Sequence, residues 1–562
     1  MSRLLVIPLA LLALLAGAMT WSGGGGVAKP ADFRFIPRGD VITLDPNQMS
    51  YLQDIRIAYA MWEGLYSYHQ DTLEPVPGVA ERVDVNDDKT VYTFHLRRNA
   101  KWSNGDPVTT KDFVFAWRRM LETPGEYSYL FYYIKGAEQY LKDFQAFVSA
   151  PGGGAAPARP NFSTVGIEPL DDYTLRVSLN NPVTFMLELA GFPPFLPLHE
   201  PSMRQFAETD PRTGVVRYNQ RFTRPPHVVT NGPYNLVAWD FKRRLRLEAS
   251  DQYWDAANVK SKSIESYVVD DALTQLLRYE SGSVDWVSEV PTEIAAELRD
   301  KGRDDLKSFD GYGTMFFTLM VRPRLRNGQP NPLADIRVRQ ALAMSIDKKQ
   351  VVETITRMGE RTSNTYIPDN LFEGWRAPKG YEFDVARARK LLADAGYPNG
   401  GKLPGVTYVF RSETAVSKDL AQNFVGQWKQ NLNLDIPLEG QERKVVRQRL
   451  NDKDYTIALA NWFGDYPDPS TFTDKYKSTS ENNDSAWINA RYDALLEQAN
   501  LESDAVKRMR LFEQAEGILL AEAPIIPLYV LTNQFLLRDT VKGVNLSPRN
   551  MTMLKGVEVV RK

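Results

Sequence analysis

Cysteine is absent from the 562-residue chain. That excludes disulfides, thiol nucleophiles, zinc–thiolate sites, iron–sulfur clusters and a lipid-modified N-terminal cysteine. Histidine is scarce. His69, His95, His199 and His227 are the only four, none lies within four residues of another, and no H-E-x-x-H occurs. Each reads as a surface or core residue rather than a metal ligand. No G-x-S-x-G nucleophile elbow and no complete G-x-x-x-x-G-K-[ST] phosphate loop is present. Neither sign of charge is in surplus, with 68 Lys and Arg against 70 Asp and Glu and a net charge of −2. A nucleic-acid or anionic-membrane partner would call for a basic excess, so neither is expected.

What is present is ordinary in bulk, with 43% apolar and 25% charged residues. The length exceeds one compact core and implies two or three domains. The 26 Tyr and 11 Trp supply core and also suit wet, adaptable binding surfaces. One long apolar run opens the chain. "MSRLLVIPLALLALLAGAMTW" carries Arg3, apolar residues from Leu4 to Leu15, and small residues Ala16-Gly17-Ala18 at cleavage spacing. It reads as a secretory signal, with an uncleaved anchor as the rival. "GGGG" at 23–26 is a flexible spacer. Export is implied either way.

Strands are expected at "YTFHLRRNAKW" (92–102), "YTLRVSLN" (173–180), "VTYVF" (406–410) and "YTIALANWF" (455–463), and a hairpin at "NLVAWDFKRRLRLEAS" (235–250). "APGGGAAPARP" (150–160) is a low-complexity insert. Helices are expected from Asp384 to Gly396, where Val385, Ala388, Leu391, Leu392 and Ala395 recur at helical spacing, and in two stretches after Asn489. Strands alternating with helices predict an α/β fold with a mainly parallel sheet.

The stretch "NWFGDYPDPSTF" (461–472) comes at the end of the last of these strands, whose residues are apolar on both faces. Gly464 permits a turn, Pro467 and Pro469 stiffen the loop beyond it, and Asp465 falls at the carboxyl end of a buried strand. In open α/β sheets that is where ligands bind. Asp468, between two prolines, reads as a turn former.

Five blocks, in order, then carry a family resemblance. They are "LDPNQ" with "MWEGLYSY"; "FHLRRNAKWSNGDPVTTKDFVFAWRR" (94–119); "TNGPYNLVAWDFKRRLRLEASDQYWD" (230–255) with "YESGSVDW" (279–286); "DIRVRQALAMSIDK" (335–348) with "ARKLLADAGYP" (388–398); and "NWFGDYPDPSTF" itself. The chain resembles the extracytoplasmic solute-binding proteins of oligopeptide ABC transporters, the large three-domain kind. The resemblance implies an α/β two-lobed clam-shell with mixed sheets flanked by helices. Domain I would comprise 30–62, 200–312 and 532–562, and inserted domain II 63–199, together forming one lobe. Domain III, 313–531, would form the other. It implies an extended short peptide between the lobes, permease and ATPase partners, a monomer, the periplasm, and neither cofactor nor catalysis.

A peptide backbone needs hydrogen-bond partners whatever its side chains, so strand pairing is expected. Asn461, Trp462 and Phe463 are the first candidates for it, and Ser50, Tyr51 and Leu52 the second. Asp465 falls on the position that the family uses for the peptide's α-ammonium. Tyr129 and Tyr132 match a segment that lines the cleft. Some members carry Arg where Leu459 falls, Trp where Arg443 falls, an acid where Ser50 falls and Tyr where Leu531 falls. These departures leave ligand length open and raise Arg443 as a captor of the peptide's carboxylate. The alternatives are the same fold with a sugar, a metal chelate or a cell-wall peptide as cargo, and an exported hydrolase using Asp465 and Asp468. Two acids three apart on one stiff loop fit a hydrolytic pair poorly.

Overall fold

The computed structural model of the chain describes residues 29–150 and 158–561. The N-terminal apolar run, the glycine spacer and most of the insert at 150–160 lie outside the described residues. Ten strands form one sheet in the order Tyr234–Asp240, Arg244–Ala249, Ser263–Tyr267, Phe33–Ile36, Trp286–Val287, Ile525–Leu537, Leu306–Leu319, Ile457–Phe463, Tyr408–Arg411 and Leu438–Gln441. Five of its nine junctions are antiparallel and four parallel, so the expected mainly parallel sheet is a mixed one. Sequence alternation could not reveal this, because the two long strands that reverse direction connect distant segments.

Those two strands tie the molecule's lobes together. Leu306–Asp310 pairs with Thr532–Leu536 in one lobe, and Thr314–Thr318 with Ile525–Val530 in the other. Between the two stretches, Gly311, Tyr312 and Gly313 stand opposite the single residue Leu531. A bulge of this kind bends and twists a ladder locally. At Gly313 a Cβ would sit 2.0 Å from the Trp462 carbonyl oxygen, so only glycine lets the strands approach this closely.

The apolar cores divide along the same line. One lobe gathers Phe33, Trp62, Trp102, Trp117, Trp286 and Phe535 into one cluster. The other has two main clusters, around Phe317, Tyr408, Phe424 and Trp428 and around Tyr366, Phe472, Tyr492 and Phe512. The first lobe also carries a four-stranded antiparallel sheet, in the order Ala80–Val85, Val91–Leu96, Thr174–Ser178 and Ile167–Asp171. The hairpin at 234–249 forms as expected.

The expected helices appear with their caps. Asp384 accepts from the Arg387 N–H at 2.9 Å ahead of Val385–Asp394, and Asn489 accepts from Arg491 and Tyr492 ahead of Ala490–Leu501. Asp504 caps Ala505–Glu522 in the same way. Among the described residues no helix is long and apolar enough to cross a membrane.

Candidate functional site

The strand Ile457–Phe463 pairs along its whole length with Leu306–Leu319 on one side. On its other side the strand Tyr408–Arg411 matches only Ile457 and Ala458 before diverging. From Leu459 to Phe463 that edge has no ladder partner among the described residues. Burial falls off at the same place. Ile457 and Ala458 are buried, Leu459, Ala460, Trp462 and Phe463 half-buried, and Asn461 exposed. An open strand edge presents unpaired backbone donors and acceptors, which is a template for another extended chain.

The loop after this strand is held by its own side chains. The Asp465 N–H donates to Thr471 Oγ1 at 2.9 Å, and Trp462 Nε1 to the Thr471 carbonyl at 2.7 Å. Tyr312 Oη donates to the Tyr466 carbonyl at 3.2 Å. The Tyr312 ring leaves no room for a side chain at residue 464, where a Cβ would meet it at 2.4 Å. Asp468 is buried. It accepts from the Ser470 N–H at 3.0 Å and Ser470 Oγ at 2.6 Å, and pairs with both ends of the Arg508 guanidinium, one at 3.0 Å. The expected turn former is thus also half of a buried ion pair that pins the loop to the helix Ala505–Glu522. With its oxygens so engaged, it is not free to act as the second acid of a hydrolytic pair.

Asp465 faces the opposite lobe. Tyr127 Oη donates to its Oδ1 at 3.0 Å and Tyr129 Oη to its Oδ2 at 3.4 Å. Burial pushes its carboxyl up from the usual 3.8 to about 6; the two hydroxyls pull the other way, and the carboxylate of Glu126 adds a smaller upward push. No cation is among the groups acting on it. Beside it Phe185 stacks on Tyr466 with ring centroids 4.5 Å apart, and Thr184 Oγ1 donates to Asp468 at 3.3 Å. Tyr466 joins the main core cluster of the other lobe.

The far end of the open edge is basic. The two-residue repeat puts Arg411 on the face of the sheet that carries Val409. Val446 and Leu450 of the helix Arg443–Asn451 pack on Val409 and Ala458. Arg443 and Arg447, one helical turn apart, and Arg38 from the other lobe act most strongly on Arg411, with Glu413 the acid beside them. Burial first, then these cations, hold the Arg411 guanidinium below its ordinary value. The opposite lobe therefore touches Asp465 through Tyr127 and Tyr129, and its Arg38 adds positive charge near Arg411.

The remaining expected residues divide. Ser50–Tyr51–Leu52 is not a strand. Tyr51 is the N-cap of the helix Leu52–Met61 and Leu52 its first residue, so at most Ser50 and Tyr51 are open to extended pairing. Asp54 explains the difference: its carboxylate gathers the N–H groups of Ile42 and Thr43 and anchors this first turn. Tyr132 is half-buried against the core, with its carbonyl accepting from Asn180 at 2.9 Å, and is not a partner of Asp465. Arg443 is exposed, and its backbone N–H is capped by Glu413 at 2.7 Å. Tyr127, Arg411 and Arg38 were not singled out in the sequence. Tyr127 sits two residues from Tyr129, and Arg411 ends an apolar strand; no local pattern marks Arg38.

Comparison with known proteins identifies the family. The description "Bacterial extracellular solute-binding proteins, family 5 Middle" matches residues 74–484. The oligopeptide-binding protein OppA of Bacillus subtilis is 31% identical over 497 residues, covering 86% of this chain and 84% of that protein. The periplasmic oligopeptide-binding protein OppA of Escherichia coli is 28% identical, covering 96% and 98%. Among solved structures, Listeria monocytogenes OppA bound to peptide superposes with a TM-score of 0.73 at 27% identity, covering 95% of this chain and 100% of that one. With more than two thirds of its length matched and its two lobes shared with such structures, the chain belongs to the bacterial extracellular solute-binding proteins of family 5.

Proposed function

We propose that this protein captures short peptides in extended form between its lobes and hands them to the permease and ATPase of an ABC importer. The single observation that carries the reading is the open edge Leu459–Phe463, which ends in a half-buried carboxylate with hydroxyl donors but no cation. The peptide backbone pairs with that edge, which recognises no particular side chain. Its α-ammonium takes the place beside Asp465, and its carboxylate points towards Arg411. From Ala460 to Asp465 an extended strand spans roughly 17 Å at about 3.3 Å per residue. That length suits peptides of about three to five residues once the reach of the arginine is included. Trp462 and Phe463 wall the side-chain pockets, and Tyr127 and Tyr129 close over the first residue.

The function is binding without catalysis, by a monomer working in the periplasm. The working units are 30–62 with 200–312 and 532–562, the insertion 63–199, and 313–531. The test is calorimetry of the purified chain against two- to five-residue peptides, free and N-acetylated. Micromolar or tighter binding that acetylation abolishes is expected, with the peptides recovered intact. Removing one partner of a buried charge pair costs roughly 3–5 kcal/mol, so Asp465→Ala should weaken free peptides by at least about a hundredfold. Unchanged affinity in that variant would remove Asp465 from the role, and cleaved peptides would reopen the hydrolase reading.

A further inference from the structure

We propose that the arginine-lined end of the cleft selects ligands with two anionic groups at their carboxyl end, namely peptides whose last residue carries an acidic side chain beside the terminal carboxylate. The inference rests on the peptide reading and adds a substrate class to it.

The charges at this end do not balance. Arg411, paired in register with Gln441, Arg443, whose N–H reaches Glu413, and Arg447 one turn on come from one lobe, and Arg38 from the other, with Glu413 the acid among the strongest influences on Arg411. Arg38 is held by Glu289 at 3.1 Å. Glu413 spends one carboxylate oxygen on the Arg443 backbone N–H. None of Arg411, Arg443 and Arg447 forms an ion pair within 4.0 Å among the described residues. Among these groups four guanidiniums stand against two carboxylates. A single terminal carboxylate leaves one positive charge unmatched, and a second one matches it.

The geometry of Arg411 points the same way. Its Nε is buried and has no hydrogen-bond partner, and a buried donor without an acceptor is the exception in folded proteins. Guanidinium groups bind carboxylates through paired N–H bonds, so a cluster of them accommodates two carboxylates at once. Because Arg38 belongs to the opposite lobe, the full set assembles only when the lobes are closed. A doubly anionic ligand therefore gains most from the closed arrangement and shifts the population towards it. Arg443, the captor expected from the sequence, becomes one contributor among several.

The experiment is calorimetry of the full chain with Ala-Ala-Ala, Ala-Ala-Glu and Ala-Ala-Lys, at low and high salt, repeated on Arg38→Gln and Arg411→Gln. One added charge-assisted contact predicts that Ala-Ala-Glu binds about tenfold more tightly than Ala-Ala-Ala. Ala-Ala-Lys should bind more weakly than either, and salt should narrow the spread. In each variant the Glu-to-Ala ratio should shrink towards one. The Arg38 side chain is 61% exposed, so that variant keeps its fold and the comparison stands even if Arg411→Gln does not fold. Equal affinities for Ala-Ala-Glu and Ala-Ala-Ala in the unmodified protein would overturn the inference and leave peptide capture intact. A ratio that persists in Arg38→Gln would also overturn it. No binding of any tripeptide would overturn the peptide reading and this inference together.

Discussion

At Asp465 the carboxylate carries opposing influences. Burial favours its neutral form, two tyrosine hydroxyls favour the anion, and burial prevails, with the group titrating near 6 rather than 3.8. Between these values the folded chain holds the proton more tightly than the unfolded chain. Stability therefore rises as pH falls through that window, and the ionised carboxylate is a cost above it. Asp465→Asn should accordingly melt higher than the parent at neutral pH, with the gain fading below about pH 4; equal melting curves at neutral pH would show that the carboxylate is not desolvated. Peptide affinity should run the other way, weakening as pH drops through 6, because an ammonium pairs only with the anion. The site residue is thus tuned against its own lobe's stability, as expected where a charge waits for a ligand. The role proposed for it was readable in advance only through the family motif. The loop's Gly, Asp and Pro content by itself was equally compatible with a plain turn. The tyrosines opposite were not readable at all, since Tyr127 lies 338 residues away in sequence.

The strand Ile457–Phe463 has two different edges, and that asymmetry makes the site. One edge is locked to Leu306–Leu319 by seven register pairs, and the other is free beyond Ala458. The apolar run announced a buried strand correctly at its start, where Ile457 and Ala458 have neighbours on both sides. It overstated burial from Leu459 on, because hydrophobicity does not distinguish a residue covered by protein from one that walls a cleft. The close approach at Gly313 sets the edge's position. Gly313→Ala would place a methyl 2.0 Å from the Trp462 carbonyl, forcing the strands apart at a cost of about 1–3 kcal/mol. A lower melting temperature of the ligand-free protein and weaker peptide binding are expected together. A variant that melts and binds like the parent would show that the strand spacing relaxes freely.

On the scale of the whole molecule the lobes are joined by two continuous strands with a bulge between their ladders, an arrangement suited to hinge closure around a ligand. Contacts between the lobes cluster around Asp465. The stack of Phe185 on Tyr466 is their apolar part. Phe185→Ala removes it without touching the hinge or the open edge. Small-angle X-ray scattering should then show a larger radius of gyration for the ligand-free protein, with saturating peptide restoring the compact form. No change in the ligand-free curve would mean that the stack contributes nothing to closure.

The sequence by itself determined three helices of the second half, the hairpin, the strands near 92–96 and 174–178, and the place of the Asp465 loop. Each of these rests on local periodicity, caps and turns, or on a contiguous family motif. Only the tertiary structure decided the mixed sense of the large sheet, the helical start at Leu52, the pairing of Asp468 with Arg508, the meeting of Tyr127 with Asp465 and the approach of Arg38's charge to Arg411. All of these but the helical start join residues far apart in the chain, and the first turn of that helix is tied down by Asp54, whose side chain accepts from the Ile42 and Thr43 N–H groups. No local pattern encodes which distant carboxylate, hydroxyl or guanidinium will face which. That is settled when two separately packed cores are brought together across a hinge.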